Sequence, residues 1–181
     1  MIALLLLAAA AGSLSPSNNQ PLCVPVASDN LQATTSDFDE HKKLRQALDE
    51  PLPDERPMVM LHGKGGHLAE QEYSIVVARA ADGQWRGTAV GRQRSMIVGA
   101  EFTPMTRAAW VLDDSSGKRL SEAVSRTCPF DRTRSDKSGS VPPPLSYISE
   151  KIDVVAEKGE QYSFYVNEGG DAIAALIRPG R

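Results

Sequence analysis

The spacing of apolar and polar positions changes near residue 57 from a helical period to a period of two. Between Ser36 and Glu50, apolar residues such as Phe38 and Leu44 recur at helical spacing. Ser36 can cap the free backbone N–H groups, and acidic residues precede basic ones, an order that suits the helix dipole. The pattern therefore predicts a first helix that ends near Glu50, because Pro51 follows it.

After residue 57 the segments are short, alternate with a period of two and contain many β-branched residues, which predicts strands. Asp82-Gly83, between two of these segments, is a typical hairpin turn. The predicted strands of this meander cover residues 58–62, 73–80, 84–92, 95–102 and 107–112.

The remaining segments complete the predicted fold. Residues 118–126 have a helical pattern, residues 148–156 and 161–167 form a predicted hairpin, and residues 172–177 are an apolar segment of either type. We expect an α+β fold, in which a meander and a C-terminal hairpin form one antiparallel sheet with two short helices packed on one face. The long polar loop at 129–146 leaves a division into two subdomains open.

The N-terminus has the pattern of a secretory signal peptide. Residues 2–11 are all apolar, small residues follow, and Ala9 and Ala11 suit a cleavage site after Ala11. No Lys or Arg precedes the apolar run, and a buried N-terminal helix is the alternative interpretation. We expect a signal peptide over residues 1–15, a polar arm over 16–35 and one domain over 36–181, in a periplasmic or secreted protein with no transmembrane span in its mature chain.

Cys23 and Cys128 are the only cysteines. In an oxidising compartment an even number of cysteines favours a disulfide. A bridge between them would close a loop of about 105 residues, which the chain-entropy model values at about 4 to 5 kcal/mol. We expect this bridge if the chain is exported, and two unpaired buried thiols are the alternative.

Composition and charge narrow the class of partner. Hydrophobic residues make up 41% of the 181 positions, charged residues make up 24%, and the formal net charge is −3. These values are typical of a soluble globular domain, and the net charge gives no reason to expect a nucleic-acid partner. We identify no complete catalytic or cofactor-binding motif, so no cofactor is expected.

One glycine-rich stretch contains possible metal ligands. His62, His67 and Glu70 lie within nine residues, separated by glycines that would let the backbone fold around an ion. Their spacing matches no metalloenzyme motif that we can identify. It differs from His-Glu-x-x-His, and the glycines disfavour the helix that this motif requires. A β-turn with exposed histidines explains the same residues equally well.

Arginines predominate among the cations of the predicted meander. Arg86 and Arg92 lie on one face of the predicted third strand and Arg94 follows it, whereas the region of the first helix is acidic. Arginine pairs with carboxylates and phosphates through its planar guanidinium group. Either the acidic helix lies against these arginines, or they form a face that binds an anionic ligand.

Besides an inhibitor or partner protein of another secreted factor, which would need an exposed apolar patch or edge strand, two functions are compatible with these observations. The first is a non-catalytic binding or scaffold protein of the cell envelope, with an unidentified envelope ligand or protein as its partner. The alternative is a metal-assisted hydrolase centred on His62 and His67. The hydrolase requires both histidines and a carboxylate to converge in a concave pocket.

Overall fold

The computed structural model describes residues 24–25, 34–128, 148–157, 159, 161–166 and 170–179. Three helices are present in these ranges: α1 (Thr34–Ala47), α2 (Asp114–Arg126) and α3 (Asp171–Ile177). The strands are β1 (Val24–Pro25), β2 (Met58–Gly65), β3 (Ala69–Arg79), β4 (Trp85–Ser95), β5 (Thr103–Pro104), β6 (Ala108–Val111), β7 (Thr127–Cys128), β8 (Ile148–Val155) and β9 (Gln161–Tyr165). The predicted signal peptide, most of the predicted arm and the loop at 129–146 lie outside the described residues.

Seven of the strands form one antiparallel sheet, in the order β5-β4-β3-β2-β8-β9, with β6 also paired to β4. The central strand β2 pairs on one side with β3 and on the other with β8, so that Leu61 stands opposite both Ile75 and Ile152. The predicted meander and C-terminal hairpin thus belong to the same sheet, and the α+β class is confirmed.

The predicted packing of both helices on one face is wrong, because helices cover both faces of the sheet. Phe38 of α1 packs against one set of alternate positions, which includes Met58, Met60, Val76 and Ala78. Leu120 of α2 and residues of α3 pack against the other set, which includes Val59, Leu61, Ile75 and Val77. The unbroken apolar run at the start of β2 explains this arrangement, since a strand with two apolar faces must be covered twice.

Three predicted boundaries also differ from the structure. Residues 96–102 do not continue the meander as a strand, because the chain turns there and Gly99 has a φ of 85°. Helix α2 begins at Asp114, four residues before the predicted start, since Asp113 accepts a hydrogen bond from the backbone N–H of Ser116 at 2.8 Å. Helix α1 begins at Thr34, so Ser36 lies inside the helix and is not its cap.

Two glycines in the sheet make room for aromatic rings from the next strand. A Cβ atom on Gly87 would lie 2.2 Å from Cε2 of Trp110, the residue opposite it on β6. A Cβ atom on Gly63 would lie 2.2 Å from Cζ of Tyr73, opposite it on β3. These glycines therefore serve close packing within regular strands.

A short parallel pair of strands lies apart from the main sheet. Val24 pairs with Thr127, and Pro25 pairs with Cys128. The chain that follows Cys23 thus runs beside β7. Cys23 itself lies outside the described residues, as does the side chain of Cys128, and the disulfide stays a prediction. Among the helices that the structure describes, none is both long and apolar enough to cross a membrane.

Candidate functional site

The three predicted metal ligands have different surroundings. His62 is buried, and its Nε2 lies 3.4 Å from Oε1 of Glu72. His67 is exposed in the turn between β2 and β3. Glu70 accepts a hydrogen bond from Nε of Arg94 at 2.8 Å, and its Oε2 lies 2.6 Å from Nη2 of the same arginine. Within the described part of the chain, no group of three His, Cys, Asp or Glu side chains is arranged to hold a metal ion.

The three arginines of the predicted anion-binding face are each paired with a carboxylate of the β3–β4 hairpin. Arg86 contacts Asp82 at 2.5 Å. Arg92 and Arg94 lie directly opposite Glu72 and Glu70 on β3 and contact them at 2.5 and 2.6 Å. Opposite charges on facing positions of neighbouring strands stabilise a sheet. The arginines are therefore paired within the protein, but by the adjacent strand and turn and not by the acidic first helix.

Glu72 is the most buried carboxylate of this hairpin. Its side chain is 2% exposed and accepts two hydrogen bonds from Arg92, while Lys64 Nζ lies 3.8 Å away. Burial alone would raise the pKa of Glu72, but the hydrogen bonds and charge of Arg92, with Lys64 and His62, outweigh burial and lower it. Glu72 is thus a buried anion compensated by neighbouring cations.

A second polar cluster lies between α1 and the sheet. His41 of α1 contacts Ser74 of β3, with 2.8 Å between Nδ1 and Oγ, and Asp153 of β8, with 3.3 Å between Nε2 and Oδ2. Arg45 adds a donor 3.5 Å from Ser74 Oγ and donates to Thr88 Oγ1 at 2.7 Å. With its proton on Nε2, His41 can accept from the serine and donate towards the aspartate.

This serine, histidine and aspartate resemble a hydrolase triad in composition but not in access. His41, Ser74 and Asp153 are all buried. His41 belongs to α1, the helix that covers Ser74, so that moving the helix to admit a substrate would also remove the base. A nucleophile must be reachable while it is bonded to its base. In this structure the cluster fixes α1 to the sheet.

A surface cleft of about 560 Å³ lies between the β3–β4 turn and the start of α2. Two carboxylates in its wall are already engaged: Asp82 pairs with Arg86, and Asp113 accepts hydrogen bonds from Ser115 and Ser116. Those hydrogen bonds lower the pKa of Asp113 to about 2. Asp113 therefore caps the N-terminus of α2.

The outstanding surface feature is a group of exposed apolar side chains at one end of the sheet. Leu68 lies in the β2–β3 turn, and Met96, Ile97 and Val98 directly follow β4. The backbone N–H of Met96 donates to the carbonyl of Leu68 at 3.3 Å, which holds the two segments together. Their exposed fractions range from 59% to 101%. We call these four residues the apex.

The apex is not apparent from the sequence, because the local pattern of residues 95–102 predicts a strand. The run Met96-Ile97-Val98 has the β-branched composition of a strand, and Gly99 was the one indication of a turn there. Comparisons with protein-family models, with curated proteins and with solved structures found no match.

Proposed function

We propose that this chain is a small exported protein of the cell envelope that binds its ligand through the apex and performs no catalysis. The observation that carries the proposal is the exposure of four large apolar side chains at one point of the surface. Exposing such side chains to water is unfavourable, and contiguous exposed apolar groups typically mark interaction sites.

The polar clusters support a binding function over a hydrolytic one. His62 is buried against Glu72, and His67 is exposed in the β2–β3 turn. The buried Ser74 is covered by the helix that supplies its own histidine partner. Among the described residues, no observation favours the metal-assisted hydrolase.

The binding proposal is tested by measuring the size of the protein in detergent-free extracts of the producing cells, in which protein complexes and membrane fragments both stay intact. The test variant, Ile97→Ser with Val98→Ser, removes apolar surface at the apex. Val111→Ser is the matched control, because Val111 is also apolar and 54% exposed but belongs to strand β6. We expect the wild type and the control to migrate in a complex larger than the monomer, and the apex variant to migrate as a monomer. Monomeric migration of all three proteins would contradict the proposal.

Export is tested separately, by sequencing the N-terminus of the mature protein. The apolar run at residues 2–11 supports cleavage by a signal peptidase. We expect the mature chain to begin close after Ala11 and to be recovered outside the cytosol. Recovery of the intact chain, with Met1, from the cytosolic fraction would contradict export and with it the expected Cys23–Cys128 disulfide.

A further inference from the structure

We infer that the ligand of the apex is a lipid bilayer, and that Leu68, Met96, Ile97 and Val98 insert into its interfacial region. This inference rests on the proposed function and specifies the ligand. The apex consists of two turns side by side at the end of the sheet, linked through Met96 and Leu68. Val98 is 101% exposed, so the part of the chain that the structure describes contributes nothing to covering it.

The number of apolar residues favours a lipid surface over a second copy of the chain. A stable interface between proteins typically involves about 20 to 30 residues on each side. The apex provides four large apolar side chains. A bilayer needs no matching surface of defined shape, and apolar side chains contribute to membrane binding according to the area they bury.

The charges beside the apex indicate insertion of apolar groups and not adsorption to anionic headgroups. Arg92 and Arg94 are the cations of β4 nearest the apex, and Glu72 and Glu70 neutralise them. Glu101 is exposed nearby, and the whole chain has a net charge of −3. Binding that depended on anionic lipid would require an excess of positive charge that this surface lacks.

The residues behind the apex suit the boundary between headgroups and acyl chains. The guanidinium groups of Arg92 and Arg94 lie 4.4 and 4.5 Å from the centre of the Phe102 ring. Aromatic rings and long basic side chains are favourable at this depth, where an apolar part meets a polar end. They would limit how far the apex enters the bilayer.

The affinity expected from so few residues is modest. One myristoyl chain gives a membrane association constant on the order of 10⁴ M⁻¹. We expect four partly inserted side chains to give reversible binding of similar strength. Binding should persist at high salt, because it does not depend on charge.

The test is flotation of the exported, processed protein with vesicles of phosphatidylcholine alone and with vesicles that also contain phosphatidylglycerol. The proteins compared are the wild type, Ile97→Ser with Val98→Ser, and Val111→Ser. Circular dichroism verifies that each is folded. The apolar run at residues 2–11 would bind vesicles by itself, so all three proteins are purified after export in the processed form that lacks it.

We expect the apex variant to bind both kinds of vesicle at least about tenfold more weakly than the wild type, and Val111→Ser to bind equally well. High salt and phosphatidylglycerol should change these values little. Equal binding by the two variants would overturn the inference. So would a complete absence of binding, or concentration-dependent dimerisation that the apex variant abolishes. If vesicles do not bind but the complex in cell extracts still depends on the apex, the ligand is a protein and the proposed function survives.

Discussion

Replacing either of two neighbouring arginines with alanine should have very different effects on stability. Arg92 and Arg94 lie on the same face of β4, each opposite a glutamate of β3, and each contacts the Phe102 ring. Their partners differ in burial, since the side chain of Glu72 is 2% exposed and that of Glu70 is 22% exposed. The pair of substitutions thus isolates the effect of leaving a buried carboxylate without its main cation.

The magnitude follows from the contacts that remain. Removing one partner of a fully buried ion pair costs about 3 to 5 kcal/mol. Lys64 and His62 still face Glu72 after the change, so we expect Arg92→Ala to cost about 2 to 3 kcal/mol. Arg94→Ala, which breaks a more exposed pair, should cost at most about 1 kcal/mol. For a chain of this length the first value lowers Tm by about 5 to 10 °C.

The assay is urea denaturation of the wild type and both variants, repeated at several pH values. The pKa of Glu72 is lowered in the folded protein, so the ion pair contributes its full stability above the ordinary glutamate pKa of 4.5 and loses it as the pH falls through the folded value. The difference between the wild type and Arg92→Ala should therefore shrink below about pH 4. Equal losses for the two variants, or a difference that is constant with pH, would show that the buried charge of Glu72 does not determine the cost.

Three further substitutions test other parts of the fold. Gly87→Ala should cost about 1 to 3 kcal/mol in urea denaturation, because its Cβ would collide with the Trp110 ring. His41→Ala should cost about 2 to 4 kcal/mol in the same assay, because it leaves a cavity under α1 and removes a partner of the buried Asp153. Asp113→Ala should destabilise the fold at neutral pH by removing the cap of α2. The wild type should lose that contribution as the pH falls through about 2, the pKa to which hydrogen bonds from the two serines of the first turn lower Asp113.

Each of these expectations has a clear contrary result. Unchanged stability in Gly87→Ala would show that the Trp110 ring moves aside without cost. Hydrolytic activity that is present in the wild type and lost in His41→Ala, with the fold intact, would contradict the structural role of the buried cluster. A constant stability difference between the wild type and Asp113→Ala from neutral to strongly acidic pH would contradict the capping role.

Local patterns in the sequence were sufficient for most of the sheet. Alternating residues and the Asp82-Gly83 turn predict the β3–β4 hairpin, and the structure confirms it. The pairing of Glu72 with Arg92 could have been derived as well, because these residues lie ten positions before and ten positions after Asp82. In an antiparallel hairpin, residues equidistant from the turn face each other.

The contacts between elements that are distant in the chain could not be predicted from the sequence pattern. His41, Ser74 and Asp153 come from three separate elements, and their contact depends on which face of the sheet α1 covers. The apolar run at the start of β2 indicated burial on both faces, but periodicity does not specify which helix covers which face. The apex was missed because exposed β-branched residues have the same local pattern as a buried strand.

The most direct test of binding through the apex is photo-cross-linking in the intact producing cells. A photoreactive residue is placed at position 98 in one protein and, as the control, at position 111 in another, since both positions are exposed and apolar in the native chain. We expect an adduct with another molecule, lipid or protein, from position 98 and little or none from position 111. Equal adducts from both positions, no adduct from position 98, or cross-links confined to the chain itself would contradict the account.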